Sequence, residues 1–151
     1  MRLWHQFLIP YLPTQWLLGQ HREITALRGL GWKKPHRTIN YVFQFSVERL
    51  IAYHYLILNE MKERSIHYDE KWEDCNYHGK RKKQSHHIQL YKIMGIIEWS
   101  ESHEIPIYPQ HTHVFLMRDL VDLTRRISNY NEKRKHRKAH FKPVWFYREP
   151  I

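Results

Sequence analysis

Glu23 is the residue whose setting points most directly to chemistry. It sits in the run His21-Arg22-Glu23, inside the segment Leu12 to Gly31, which reads as one helix with Pro13 at its start and glycines at 29 and 31. At about 100° per residue, Trp16, Leu17, Ile24, Leu27 and Leu30 share one face. Glu23 falls within that face, between Trp16, Leu27 and Leu30. A carboxylate there loses water when the helix packs, so its charged form needs a cation against it or is disfavoured. Two readings are open: a buried ion pair with one of the many basic residues, or a catalytic carboxylate, since perturbed groups cluster at functional sites.

The other reactive side chains form weaker patterns. Cys75-x-x-His78, His111-x-His113 and the i, i+4 pair His136 and His140 are half-sites without a second half at zinc spacing. His103-Glu104 lacks the second histidine of a metalloprotease helix. With thirteen histidines in the chain, chance accounts for these clusters, and no metal or other cofactor is expected. There is neither a Gly-rich phosphate loop nor a G-x-S-x-G elbow. Cys75 is the only cysteine, so no intramolecular disulfide forms.

Three elements must position Glu23 and its neighbours. Residues 1–11 are apolar and read as an extended arm packed on the body, able to bring the chain terminus to the first helix. From Ser46 to about Arg64, Val47, Leu50, Ile51, His54, Ile57, Leu58 and Met61 recur at helical spacing, with Ser46 as N-cap. His54, on that apolar face, reads first as a satisfied core residue. A third helix is expected from about Thr112 to Asn131, with Leu116, Leu120, Leu123, Ile127 and Tyr130 on one stripe and Arg118, Arg125 and Arg126 off it. Between them, residues 65–110 are expected to be irregular, with a short helix near 86–98. The expected fold is all-α: a compact bundle of three main helices, with the N-terminal arm packed against the first. One domain is expected over residues 1–151, with a basic-aromatic tail over about 132–151.

A formal charge of +10 favours a polyanion as partner, nucleic acid ahead of a membrane surface. No window holds eighteen uninterrupted apolar residues, so no membrane span is expected. His5, Gln6, Pro10 and Pro13 interrupt the apolar start and no small-residue cleavage site follows, so a cytoplasmic, nucleoid-associated monomer is expected. The connector Trp32-Lys33-Lys34-Pro35-His36-Arg37 reads equally as a phosphate contact and as a solvated loop. The closing Trp145-Phe146-Tyr147 reads either as a stacking surface beside the basic run 132–138 or as part of the core.

The pattern Gln15-x-Leu17-Leu18-x-x-x-Arg22-Glu23 resembles the first-helix motif of the pyrimidine dimer DNA glycosylases of the phage T4 endonuclease V type, in the same register from the chain start. Thr38 to Arg64, Ile107-Tyr108-Pro109 and the ending Lys142-Pro143-Val144-Trp145-Phe146-Tyr147 are similar to further blocks of that family, together about two-thirds of the chain. The start MRLWH and the run LLGQHRE look closest to a bacterial branch of it.

The resemblance implies an all-α enzyme that flips a nucleotide and combines glycosylase with abasic-site lyase chemistry, without metal, on damaged double-stranded DNA such as pyrimidine dimers or abasic sites. It implies that the N-terminal α-amine attacks the sugar C1′ and forms an imine. By position, Glu23 steadies the developing charge and assists proton transfer, and Arg22 binds DNA near the lesion. An α-amine titrates near about 8, which leaves a useful fraction unprotonated at neutral pH. The family's amine belongs to a small residue exposed by loss of the initiator methionine. Position 2 here is Arg2, whose bulk should keep Met1 in place, so the catalytic set is Glu23, Met1 and Arg2. The expected DNA contacts are His21, Arg22, Arg28, Lys33, Lys34, Arg125, Arg126, Trp145 and Tyr147. A non-enzymatic nucleic-acid-binding protein with the same fold is the alternative.

Overall fold

A computed structural model describes residues 1–83 and 87–135. Its α-helices are α1 (Thr14–Arg28), α2 (Val47–Glu63), α3 (Leu90–His103) and α4 (His113–Lys135). Short 3₁₀ turns occupy Gln6–Tyr11, Asn40–Gln44 and Glu70–Glu73, and the described residues contain no strand. No helix among them is long and apolar enough to cross a membrane.

The bundle is built around α2, whose Leu50, Ile51, Tyr53, His54, Ile57 and Met61 are all buried. Its apolar residues run at i, i+3, i+4 and i+7 on more than one face, so it packs on α1 at one side and α3 at the other. The arm is extended only over its first five residues, then closes into the 3₁₀ turn at Gln6–Tyr11, which packs on α2 and α4. Leu3, Trp4, Leu8 and Ile9 are buried, so the arm belongs to the core.

Three expectations about the elements change. A fourth helix, α3, replaces the short one expected near 86–98. It turns only Ile93, Ile97 and Ser100 inward, carries Gly95, and has no side-chain cap at its start, so its sequence signal is weak. Leu30 is 53% exposed instead of facing the core. It lies past the end of α1, where Gly31 donates to the Ala26 carbonyl at 3.0 Å; a Cβ at Gly31 would come within 2.7 Å of that oxygen. Leu120 is 43% exposed, and Asp119 takes the inward place on α4. Leu116, Asp119, Leu123 and Ile127 make the stripe that meets the body.

Candidate active site

The N-terminal arm is tied to α1 by one amide. Gln20, 1% exposed, accepts from the Trp4 backbone N–H at 2.7 Å and from the Tyr53 hydroxyl at 3.3 Å. Its own amide donates to the Arg2 carbonyl at 2.8 Å and to Glu23 Oε2 at 3.3 Å. The Arg2 backbone N–H donates to the same Glu23 oxygen at 3.2 Å. Glu23 is therefore half-buried against the head of the chain, with amide donors where sequence reasoning looked for a cation. The Thr38 hydroxyl donates to the Met1 carbonyl, so the peptide groups on both sides of Arg2 are held.

The arm's side chains anchor it to α4. The Arg2 guanidinium pairs with Asp119 at 2.9 Å and with Asp122, and lies 4.1 Å from the centre of the Trp4 ring. Asp119 also accepts from the His5 backbone N–H at 2.6 Å. Burial pushes the Asp119 carboxyl up from the usual range, against the opposing pull of the His5 N–H and Arg2. Asp122 is brought down to about 2: partial burial works the other way, but hydrogen bonds from Arg125, Arg2 and Arg126 outweigh it. Neutral imidazoles close the floor behind. His5 accepts from the Phe7 N–H at 3.1 Å, which leaves its Nε2–H for the His111 carbonyl at 2.8 Å. Burial brings His111 down to about 3.

These contacts frame an open cleft of about 530 Å³ lined by Met1, Glu23, Thr38, Phe115, Arg118 and Arg126, among others. Glu23 and the chain's first residue thus share a hollow with the exposed Arg118 and Arg126, the latter paired at 2.8 Å with Asp122, which also lines it. That arrangement suits an anionic ligand delivered to a nucleophile with a carboxylate at its side. Among the described residues, no group of three His, Cys, Asp or Glu side chains could hold a metal ion.

Residues 1–74, which carry the arm, α1 and all of α2, match the family model of the pyrimidine dimer DNA glycosylases. Over these residues, just under half of the chain, the protein is similar to that family. Neither the curated proteins nor the solved structures contain a match. The match supports the DNA-repair glycosylase class broadly, with DNA as its substrate class.

The expected DNA contacts separate into distinct places. Arg22 is exposed on α1, beside Glu23, and forms no ion pair among the described residues. Lys33 and Lys34 are exposed in the connector, whereas the Trp32 ring turns inward to meet Phe43 edge-on at 5.2 Å. Arg126 lines the cleft; Arg125 is exposed and pairs with Asp122 at 2.6 Å without lining it. Arg118, which the sequence placed off the apolar stripe without assigning it a role, lines the cleft too. Trp145 and Tyr147 lie outside the described residues.

Two of the expected contacts change role. Arg28 is 0% exposed, so no phosphate reaches it. It donates to the carbonyls of Trp72, Asp74 and Tyr77, each at 2.9 Å, and to His54 Nδ1 at 3.0 Å. Four acceptors compensate a cation taken out of water, and burial still lowers its pKa to about 10. Its place at the C-terminal end of α1, on the buried face, is why an arginine in an apolar register goes inward. His21 does not line the cleft. Because Arg28 can only donate, His54 carries its proton on Nε2 and donates it to His21 Nδ1 at 2.9 Å. His54 is the satisfied core residue its position suggested, held far below its ordinary pKa by burial and by the nearby Arg28 charge.

Two residues of the site escaped the sequence reading. Gln20 lies within the apolar arc of α1, and Asp119 falls on the i, i+3, i+4 stripe of α4. In both, a polar residue sits in an apolar register. That signal was readable for both, and was drawn only for Glu23.

Proposed function

We propose that this protein is a DNA glycosylase and abasic-site lyase that acts as a monomer on damaged duplex DNA, pyrimidine dimers or abasic sites, without a metal. The α-amine of Met1 attacks C1′ of the damaged nucleotide. The new N–C1′ bond forms as the bond to the base breaks, and the base leaves with the bonding electrons. Glu23 steadies the positive charge that builds on the sugar, accepts a proton from the attacking amine and returns it to O4′ as the C1′–O4′ bond breaks and the imine forms. The imine makes the C2′ proton acidic; its removal breaks the C3′–O bond, the 3′ phosphate leaves with the bonding electrons, and the strand opens. Arg22, Arg118 and Arg126 hold backbone phosphates around the lesion. A damaged pair flips more cheaply than an intact one, which contributes part of the selectivity.

One observation carries this reading: the Arg2 backbone nitrogen lies 3.2 Å from Glu23 Oε2, so the head of the chain is seated on the carboxylate of a cationic cleft. The same distance favours a second form of it. Removal of Met1 would make that nitrogen the free amine, already against Glu23.

Borohydride added to protein and abasic or ultraviolet-irradiated duplex should trap a covalent complex. Glu23→Gln should cut the trapping rate by about 10²-fold or more with little change in folding, because the glutamine oxygen still accepts from Arg2. The mass of the trapped terminal peptide identifies the nucleophile as Met1 or Arg2. Absence of trapping under conditions where a known lyase traps, with salt-sensitive binding blind to lesions and to Glu23→Gln, refutes catalysis and leaves a DNA-binding protein.

A further inference from the structure

The basic loop that follows the family-matched residues has a built position on α1. Arg28 holds the carbonyls of Trp72, Asp74 and Tyr77. Asn76 and Ile88 close the far side of the same segment, the Ile88 N–H donating to Asn76 Oδ1 at 2.7 Å and the Asn76 amide donating to the Ile88 carbonyl at 3.0 Å. The chain then passes directly over the end of α1: a Cβ on Gly29 would lie 3.2 Å from the His78 carbonyl oxygen. Gly79, with φ +90°, turns it outward. Lys80, Arg81 and Lys82 consequently line a hollow of about 460 Å³ with Thr25, Ala26 and Trp72.

No acidic residue lines this hollow, and none of the three cations forms an ion pair among the described residues. The C-terminal end of α1 contributes about half a negative charge. Lys80, Arg81 and Lys82, with Arg28 beneath, outweigh it. An apolar floor with a cationic rim, rigidly tied to the helix that bears the active-site carboxylate, suits a polyanion that continues beyond the cleft.

We propose that the Gly79–Lys82 loop is a second contact for the DNA backbone, on the strand that passes Arg22. This rests on the glycosylase reading above. Arg22 and Ala26 are both exposed on α1, one turn apart. From Arg22 to Gly29 the helix advances about 10 Å at 1.5 Å per residue, which corresponds to about three nucleotides of one strand at 3.4 Å each. Between Arg22 and the loop, α1 exposes the small side chain of Ala26 beside the half-buried Thr25, so a backbone can approach closely. Arg28 then serves DNA binding from inside the fold, as a positioning residue for the loop.

The test is the salt dependence of binding to an undamaged duplex by wild type, K80A/R81A/K82A and K92A, a control on α3. Each phosphate contact contributes about 0.9 to the slope of log K against log salt. The triple variant should lose about 2–3 from that slope and bind at least about tenfold more weakly at 0.1 M salt, with its melting temperature unchanged. K92A should keep the wild-type slope. A triple variant with wild-type slope and affinity overturns the second contact and leaves the glycosylase reading standing. So does a K92A effect as large per charge, which would mark a general field. Failure of wild type to bind duplex at all overturns both.

Discussion

Replacing Gln20 by leucine tests whether the arm's placement serves chemistry as well as folding. Leucine keeps a buried side chain of similar size but removes the acceptor for Trp4 N–H and the donors to the Arg2 carbonyl and Glu23. Tyr53 keeps its bond to the Trp4 carbonyl at 2.6 Å, so two backbone groups are left unpaired. Each costs about 1–3 kcal/mol, and burying leucine returns about 1.5–3 kcal/mol, for a net loss of about 2 kcal/mol. In a domain of this size that lowers the melting temperature by about 4–8 °C. Release of the Arg2 carbonyl also lets the head of the chain drift from Glu23, and a shift of about 1 Å costs about 10²-fold in rate. Single-turnover borohydride trapping with saturating abasic duplex, run beside thermal unfolding, reads both effects. Gln20→Glu separates them. It keeps the acceptor for Trp4 but places a second carboxylate where the amide now lies 3.3 Å from Glu23 Oε2, so the acid limb of the trapping profile should move to higher pH. A Gln20→Leu variant that melts early yet traps at the wild-type rate would show that the arm's position is irrelevant to the chemistry. Neither effect would mean that the amide does not bridge arm and helix.

Two further outcomes follow from the buried groups. His54 and His111 have folded-state pKa values depressed by burial, so unfolding takes up protons below about pH 6.5, and stability present above that pH is lost as pH falls, down to about 3 for His111. The two together should cost about 2.7 kcal/mol per pH unit between pH 6 and 5. Asp119, raised by burial, works in the opposite sense at lower pH. Urea titrations at pH 7, 6 and 5 measure the slope, and equal midpoints would contradict it. Arg28→Met should destabilise by more than about 3 kcal/mol, since the carbonyls of Trp72, Asp74 and Tyr77 lose their donor. A loss below about 1 kcal/mol, with amide protection in 72–78 intact, would show that Arg28 does not hold this segment.

Much of this was legible in residue types and spacing. The periodicity of Leu50, Ile51, His54, Ile57 and Met61 marks α2, because a helix that packs on both sides must repeat apolar residues at three and four. The oddity of Glu23 on an apolar face, the excess of positive charge and the first-helix motif point to DNA and to this carboxylate, since these are properties of local pattern and composition. The partners were not legible. Glu23 meets Arg2 across 21 residues, Arg2 meets Asp119 across 117, and Arg28 meets Trp72 across 44. Spacing along a chain constrains only neighbours within a turn or two of helix. Whether an arginine reaches a phosphate or is buried under carbonyls depends on which segment folds over it. The tertiary structure buried Arg28 under carbonyls, brought Arg118 to the cleft and seated the head of the chain beside Glu23.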